Sequence, residues 1–390
     1  HIHPMPKDTV LSYGAADDGY GVGVILESVS ELLEVRQDWK QGVKILFTDA
    51  EESGMLGMTA IWENDRQVFD NVGFLINLEG RGSWGPVLLF ETCPGNEKIM
   101  DLYEETSKYK YTYSLTSVVY SFMPNFTDFT IVMDEVPGVN FSTIADVNHY
   151  HTDLDNFSNV NAASIQHYGA QILPLAMKYV TDPVFADKDY LRAEKNTVNF
   201  TVPGLGLFNV SKTAYMIINI IVFVLFVLLL VLEVLRGRVK IMSVVKQACV
   251  VLCFAISVLA VGELVAYVSA LISGARFKPF GVVQGVPFDN VVMIIAMVLM
   301  VAVVVAIYLV TRTAAIRQTS GSMRASAASN AVEKHAYNIL YGTLVLIFVL
   351  SMALLFALGE NLMFMIPLTC AAVAMILWHI TSLKVWLLAA

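Results

Sequence analysis

The stretch "VKILFTDAEESG", residues 43–54, ends an apolar run at Asp49 and passes at once into two adjacent acids, Glu51 and Glu52. A short run rich in β-branched and aromatic residues predicts a strand, here "GVKILFTD" over 42–49. Working outward, a helical "GVGVILESVSELLEVRQ" precedes it and a short helix, "GMLGMTAIWEND", follows. Then come the strand-like "NVGFLINLEG" (71–80) and "GPVLLFET" (85–92), a helix near 95–109, "VPGVNFS" (136–142) and a long helix near 161–182. Buried strands alternating with helices predict an α/β fold, a three-layer sandwich around a mainly parallel central sheet. In such sheets functional groups collect at the carboxyl ends of strands.

Acids and histidines recur at those ends. Glu79 closes "GFLINLEG", His149 and His151 follow a strand in "GVNFSTIADVNHYHTDLDN" (138–156), and Asp17 and Asp18 sit in the turn "GAADDGYG" (14–21) before a helix. Each has an ordinary explanation. Glu51 and Glu52 suit the first turn of a helix, Asp17 or Asp18 suits an N-cap, Glu79 a solvated loop and His151 a surface or core histidine. Four such coincidences at the strand ends of one sheet favour a shared purpose. Two divalent ions ~3.5–4 Å apart need a bridging carboxylate, imidazole and carboxylate end ligands, and a further carboxylate that takes a proton from water. Of the neighbours Glu51 and Glu52, one side chain can face metal while the other faces the water.

"GAADDGYG", "AEESGMLG", "NLEGRG" and "YHTDLDN", in this order and spacing, resemble the M28 co-catalytic zinc aminopeptidases. The multi-spanning branch is the most similar, the endoplasmic reticulum metallopeptidase and vacuolar membrane protease type, with a peptidase domain ahead of a helical membrane region. The motifs cover roughly residues 1–180. By position the resemblance implies two zinc ions, with Asp17 bridging, Glu52 and His151 completing one zinc and Glu79 on the other. It makes Glu51 the general base of an exopeptidase acting on N-terminal peptide bonds. Asp18 braces the turn or caps the helix, and Arg81 and Tyr150 are candidate substrate contacts. The family's first motif is His-x-Asp, whereas this chain opens "HIHPMP": His1 fits the remaining ligand and His3 stands where the Asp is expected. Other members of the fold imply different functions, a cyclase or a metal-free recruiting module.

The chain's composition divides it. It has 390 residues, 56% hydrophobic, with a mean hydropathy of +0.60, too apolar for one water-soluble globule. Of its 34 acids only Glu233, Glu263, Asp289, Glu333 and Glu360 lie beyond residue 213. The front part is therefore acidic, which argues against a nucleic-acid partner, and the back part is basic. Four cysteines, with only Cys93 ahead of residue 213, make no disulfide framework. Five apolar stretches reach the ~20 residues needed to span a bilayer: about 214–235, 247–272, 290–311, 337–358 and 361–380. The basic loops "RGRVK" (236–240) and 311–335 read as cytoplasmic, which places the front domain on the extracytoplasmic or lumenal side. Five N-x-S/T sequons, at Asn125, Asn140, Asn156, Asn199 and Asn209, all precede the first span.

The expected layout is a peptidase domain over 1–185, a linker over 186–213 and an α-helical transmembrane bundle over 214–390. A first residue His1 and a sixth apolar run stopping at Ala390 read as an internal fragment of a longer chain. Glu263, in mid-span, is a functional candidate by its cost in lipid, which keeps a transporter-like bundle with an accessory domain as a further alternative.

Overall fold

The computed structural model describes residues 12–122, 125–273 and 325–361. The chain divides into two compact units, 1–216 and 217–390. In the first unit, α1 (Gly19–Glu34) buries Tyr20, Val24, Ser28 and Leu32, one residue per turn on a single face. It is capped by Asp18, whose carboxylate accepts from the Gly21 N–H at 3.1 Å. A Cβ at Gly21 would lie 2.2 Å from Asp18 Oδ2, so only glycine leaves that carboxylate room. Next come α2 (Leu56–Asn64), β1 (Leu75–Gly80), β2 (Trp84–Thr92), α3 (Glu97–Thr106), α4 (Ser114–Tyr120), α5 (Asp128–Val132), β3 (Gly138–Ala145) and α6 (Ala162–Thr181). A hairpin of β4 (Thr197–Val202) and β5 (Gly206–Ser211) follows.

The first three strands form one sheet in the order β1-β3-β2, with β1 parallel and β2 antiparallel to β3. α1 packs on α6 and β1, and α6 packs on β2. The core between them holds Val87, Leu89, Ile99, Tyr103, Phe129, Val139, Phe141, Tyr168 and Leu175, all fully buried. The domain is mixed α/β with small sheets, and among the described residues its main sheet has one parallel and one antiparallel pairing.

The expected strand over 42–49 is the largest departure. Residues 43–48 take up no regular secondary structure and have no ladder partner among the described residues. Val43, Ile45, Leu46 and Phe47 remain exposed, Phe47 by 53%. Apolar composition supplies the propensity, but a strand exists only where its N–H and C=O groups find partners. Between this segment and β1, with α1 and α6 on its walls, lies a cavity of about 1000 Å³ whose lining includes Glu51, Glu52 and Glu79.

Burial also sorts the sequons. Asn140 and Asn199 are fully buried. Asn140 donates to Glu91 and Thr127, and Asn199 accepts from Thr112 Oγ1. The folded domain presents neither to a modifying enzyme.

Three further helices, α7 (Lys212–Leu235), α8 (Ile241–Ser273) and α9 (Ala325–Leu358), include three stretches long and apolar enough to cross a membrane: Lys212–Leu235, Ile241–Val265 and Tyr337–Leu358. Phe226 stacks on Phe348 at 4.0 Å. Asn361 donates to Asn219 Oδ1 at 2.9 Å, a buried polar tie of the kind that holds helices together in lipid. Glu263 lies half-exposed on α8. The expected spans at 290–311 and 361–380, and the loop over 274–289, fall outside the described residues apart from Asn361.

Candidate metal centre

Asp17 and Asp18 occupy the turn ahead of α1 and divide its work. Asp18 turns back to cap the helix, and Asp17 faces inward, 5% exposed. The turn is held from across the domain by Asp155, whose buried carboxylate accepts from the Ala16 N–H at 2.6 Å and the Asp17 N–H at 3.2 Å. β1 closes against the same turn. A Cβ at Gly80 would lie 2.2 Å from the Ala16 carbonyl oxygen, so glycine permits the approach.

His151 reaches this point from the loop after β3. Its Nε2 lies 2.6 Å from Glu52 Oε1 and 3.2 Å from Asp17 Oδ2. Ligand atoms of Asp17, Glu52 and His151 all lie within 4.8 Å of one another. The backbone is left-handed at His151 (φ 57°) and at Ala50 (φ 56°), just before Glu51. Such conformations cost non-glycine residues energy and concentrate at functional sites.

The electrostatics fit a cation. Burial disfavours the His151 cation, and hydrogen bonds and charge from Asp17 and Glu52 overcome it, raising its pKa to about 9. Two carboxylates thus converge on one nitrogen that, without a metal, is held as a cation. Glu79, half-buried at the end of β1, has its carboxyl raised well above the usual range, first by burial and then by the charges of Asp18, Glu51 and Asp17. Asn77 donates to Glu79 Oε1 at 2.9 Å and to Asn140 Oδ1 at 3.0 Å. Carboxylate oxygens and an imidazole nitrogen in this arrangement suit a divalent metal ion.

The structure therefore brings Asp17, Glu52 and His151 to one point, with Glu51 and Glu79 within electrostatic reach. Glu79 is not part of the three-residue cluster. Tyr150 stacks on the His151 ring at 3.6 Å, and its hydroxyl is held protonated by burial and by the charges of Asp17 and Glu52. The Arg81 guanidinium lies 5.7 Å from the Tyr150 ring centre. His1 and His3 fall outside the described residues. Sequence reading passed over Asp155, which ties the Asp17 turn to the His151 loop. His149, named there beside His151, instead meets the buried Ser83 Oγ through its Nδ1 at 2.6 Å and braces that loop.

Two carboxylates and one imidazole converging in an α/β domain give it the class of a candidate metal-binding domain. Residues 2–176 match the family described as Peptidase family M28. The chain is 28% identical to endoplasmic reticulum metallopeptidase 1 of Mus musculus over 58% of its own length and 26% of the relative's. It is 29% identical to the Homo sapiens protein of that name, over 54% of its length and 24% of the relative's. It is 31% identical to the vacuolar membrane protease of Verticillium alfalfae over 41% of its length and 16% of the relative's. The matched stretch thus spans about a quarter or less of these relatives. No solved structure matches the chain.

Proposed function

We propose that the chain is part of a membrane-anchored di-zinc aminopeptidase that hydrolyses N-terminal peptide bonds on the extracytoplasmic or lumenal side of its membrane. The peptidase domain covers 1–185, followed by a linker over 186–213 and the membrane bundle over 214–390. We read the small sheet as the described portion of a three-layer sandwich. The convergence of Asp17, Glu52 and His151 within 4.8 Å carries the reading. A metal-free recruiting module has no use for carboxylates gathered against their mutual repulsion.

In this proposal Asp17 would serve both of two zinc ions, Glu52 and His151 would complete the set at one, and Glu79 and His1 would serve the other. When bound, the ions polarise the scissile carbonyl and supply an acidified water. Glu51 would act as the general base, taking a proton from the attacking water and returning it to the leaving amine. Asp155 keeps the Asp17 turn in register with the His151 loop. Tyr150 packs against His151 and shields one face of the imidazole.

The test is elemental analysis of the purified chain together with turnover of aminoacyl substrates before and after chelation. Bound zinc and turnover that chelation abolishes are expected. Unchanged turnover after thorough metal removal would reject the mechanism.

A further inference from the structure

We infer that Arg81 selects substrates bearing a carboxylate on the leaving residue, the one on the C-terminal side of the broken bond; this deepens the peptidase reading and rests on it. Arg81 lies two residues past Glu79, in the bend that immediately follows β1. Its backbone remains tied to β3, donating to the Thr143 carbonyl at 3.1 Å and to Ser142 Oγ at 3.0 Å. The guanidinium sits 5.7 Å from the centre of Tyr150, which itself stacks on His151 at 3.6 Å. That separation is within the reach of two or three extended residues at ~3.3–3.6 Å each.

Its partners distinguish this arginine. With the Asn125 amide turned so that its oxygen faces the guanidinium, that oxygen accepts from the two Nη atoms at 2.9 and 3.1 Å. The other neighbour is the Tyr150 ring. Both are neutral, and among the described residues Arg81 makes no ion pair with a carboxylate, although Asp17, Glu51, Glu52 and Glu79 crowd the adjoining site. A planar fork held on one edge by an amide keeps further N–H donors for a carboxylate on another.

Polarity decides the side. The α-ammonium of an aminopeptidase substrate would be repelled by this charge, whereas a negative group past the scissile bond would be attracted. That group is either the free C-terminus of a dipeptide or an acidic side chain at the second position. The chemistry is the same, and the experiment separates the two sources.

The full chain in detergent with zinc would be given Ala-Ala against Ala-Ala-NH2, and Ala-Glu-NH2 against Ala-Gln-NH2. The kcat/KM ratio is read within each pair. Calorimetric binding of the same peptides with CH2–NH replacing the scissile CO–NH is measured in parallel. At least one pair should favour the acid by ~10-fold or more, as expected of a charge-assisted hydrogen bond. The ratio should fall to near unity in Arg81→Met and be partly retained in Arg81→Lys. An arginine that merely offsets the site's acids would lower both members of a pair alike and leave the ratio unchanged.

Cleavage without acid preference, or a preference that survives Arg81→Met, overturns the inference and leaves the peptidase reading standing. Absence of cleavage with acid-selective binding that Arg81→Met abolishes overturns the peptidase reading and keeps the subsite. Neither cleavage nor binding overturns both. If Arg81→Met does not fold by circular dichroism, Arg81→Gln is read in its place.

Discussion

The two halves of the site are built differently. The Asp17–His151 half is tied from several directions. Asp155 accepts from consecutive amides of the Asp17 turn, Tyr20 donates to the Ser83 carbonyl at 2.8 Å and accepts from the Asn161 N–H at 2.6 Å, and His149 meets Ser83. The Glu51–Glu52 half is a single 3₁₀ turn, entered through left-handed Ala50 and left through Gly54 at φ 102°. It follows residues 43–48, which have no ladder partner among the described residues. Preorganisation comes from buried, fully bonded supports. One half therefore holds its groups before any ion arrives, and the other depends on a local turn that lines a largely apolar cavity.

Hydrogen exchange should show the largest contrast. Amides of β1 bonded to β3 should be protected ~10⁴-fold or more relative to those of 43–48, which should exchange near the rate of an unfolded chain. Equal protection would show that 43–48 is paired in solution and would erase the difference between the halves.

Next in size is Glu51→Gln, which keeps shape and hydrogen bonding but removes the proposed base. It should lower kcat by ~10²–10⁴ with zinc content unchanged. Glu52→Gln, by contrast, should lower zinc content and activity together. If Glu51→Gln loses zinc and Glu52→Gln keeps it, the two roles are exchanged.

Asp155→Asn tests the tied half without touching a proposed ligand. Its new NH2 would face a backbone N–H, so the Asp17 turn should loosen and zinc affinity fall ~10–100-fold, read by competition with a chelator. Unchanged affinity would mean that the Asp17 turn holds itself.

The smallest effect is on stability against pH in the zinc-free chain. His151's pKa is raised from 6.5 to about 9, so its contribution is fully present below pH 6.5 and is lost as pH rises through about 9. Glu79's raised carboxyl acts in the same direction, favouring the fold while it holds its proton and opposing it as pH rises above the unfolded pKa of 4.5. The melting temperature of the zinc-free chain should therefore decline from mild acid to pH 9. Saturating zinc should reverse the trend, because the ligands bind metal deprotonated. A zinc-free melting temperature that rises over this range would contradict the crowding of acids around His151.

Much of this was legible from local pattern. Glycines, acids and apolar runs marked β1, β2, β3, α1, α3 and α6 near their observed places, because helix faces and strand cores are set by residues close in the chain. The acids at strand ends pointed to a metal. What stayed hidden depended on direction and distance. Asp153 and Asp155 stand two apart in one loop and look alike in sequence, yet Asp153 is exposed and Asp155 is 2% exposed. Arg81's neutral partners, Asn125 and Tyr150, lie 44 and 69 positions away along the chain.

The sequence by itself determined the division into an acidic α/β domain and an apolar helical region, and the set of residue types available for metal chemistry. Composition and short-range periodicity suffice for both. Only the tertiary structure decided that Asp18 caps while Asp17 faces His151, that the apolar run at 43–48 has no ladder partner among the described residues, and that two of the five sequons are buried. Each of these turns on which groups distant in the chain meet in space. Hydrogen-bond partners and desolvation exist only once the chain has folded.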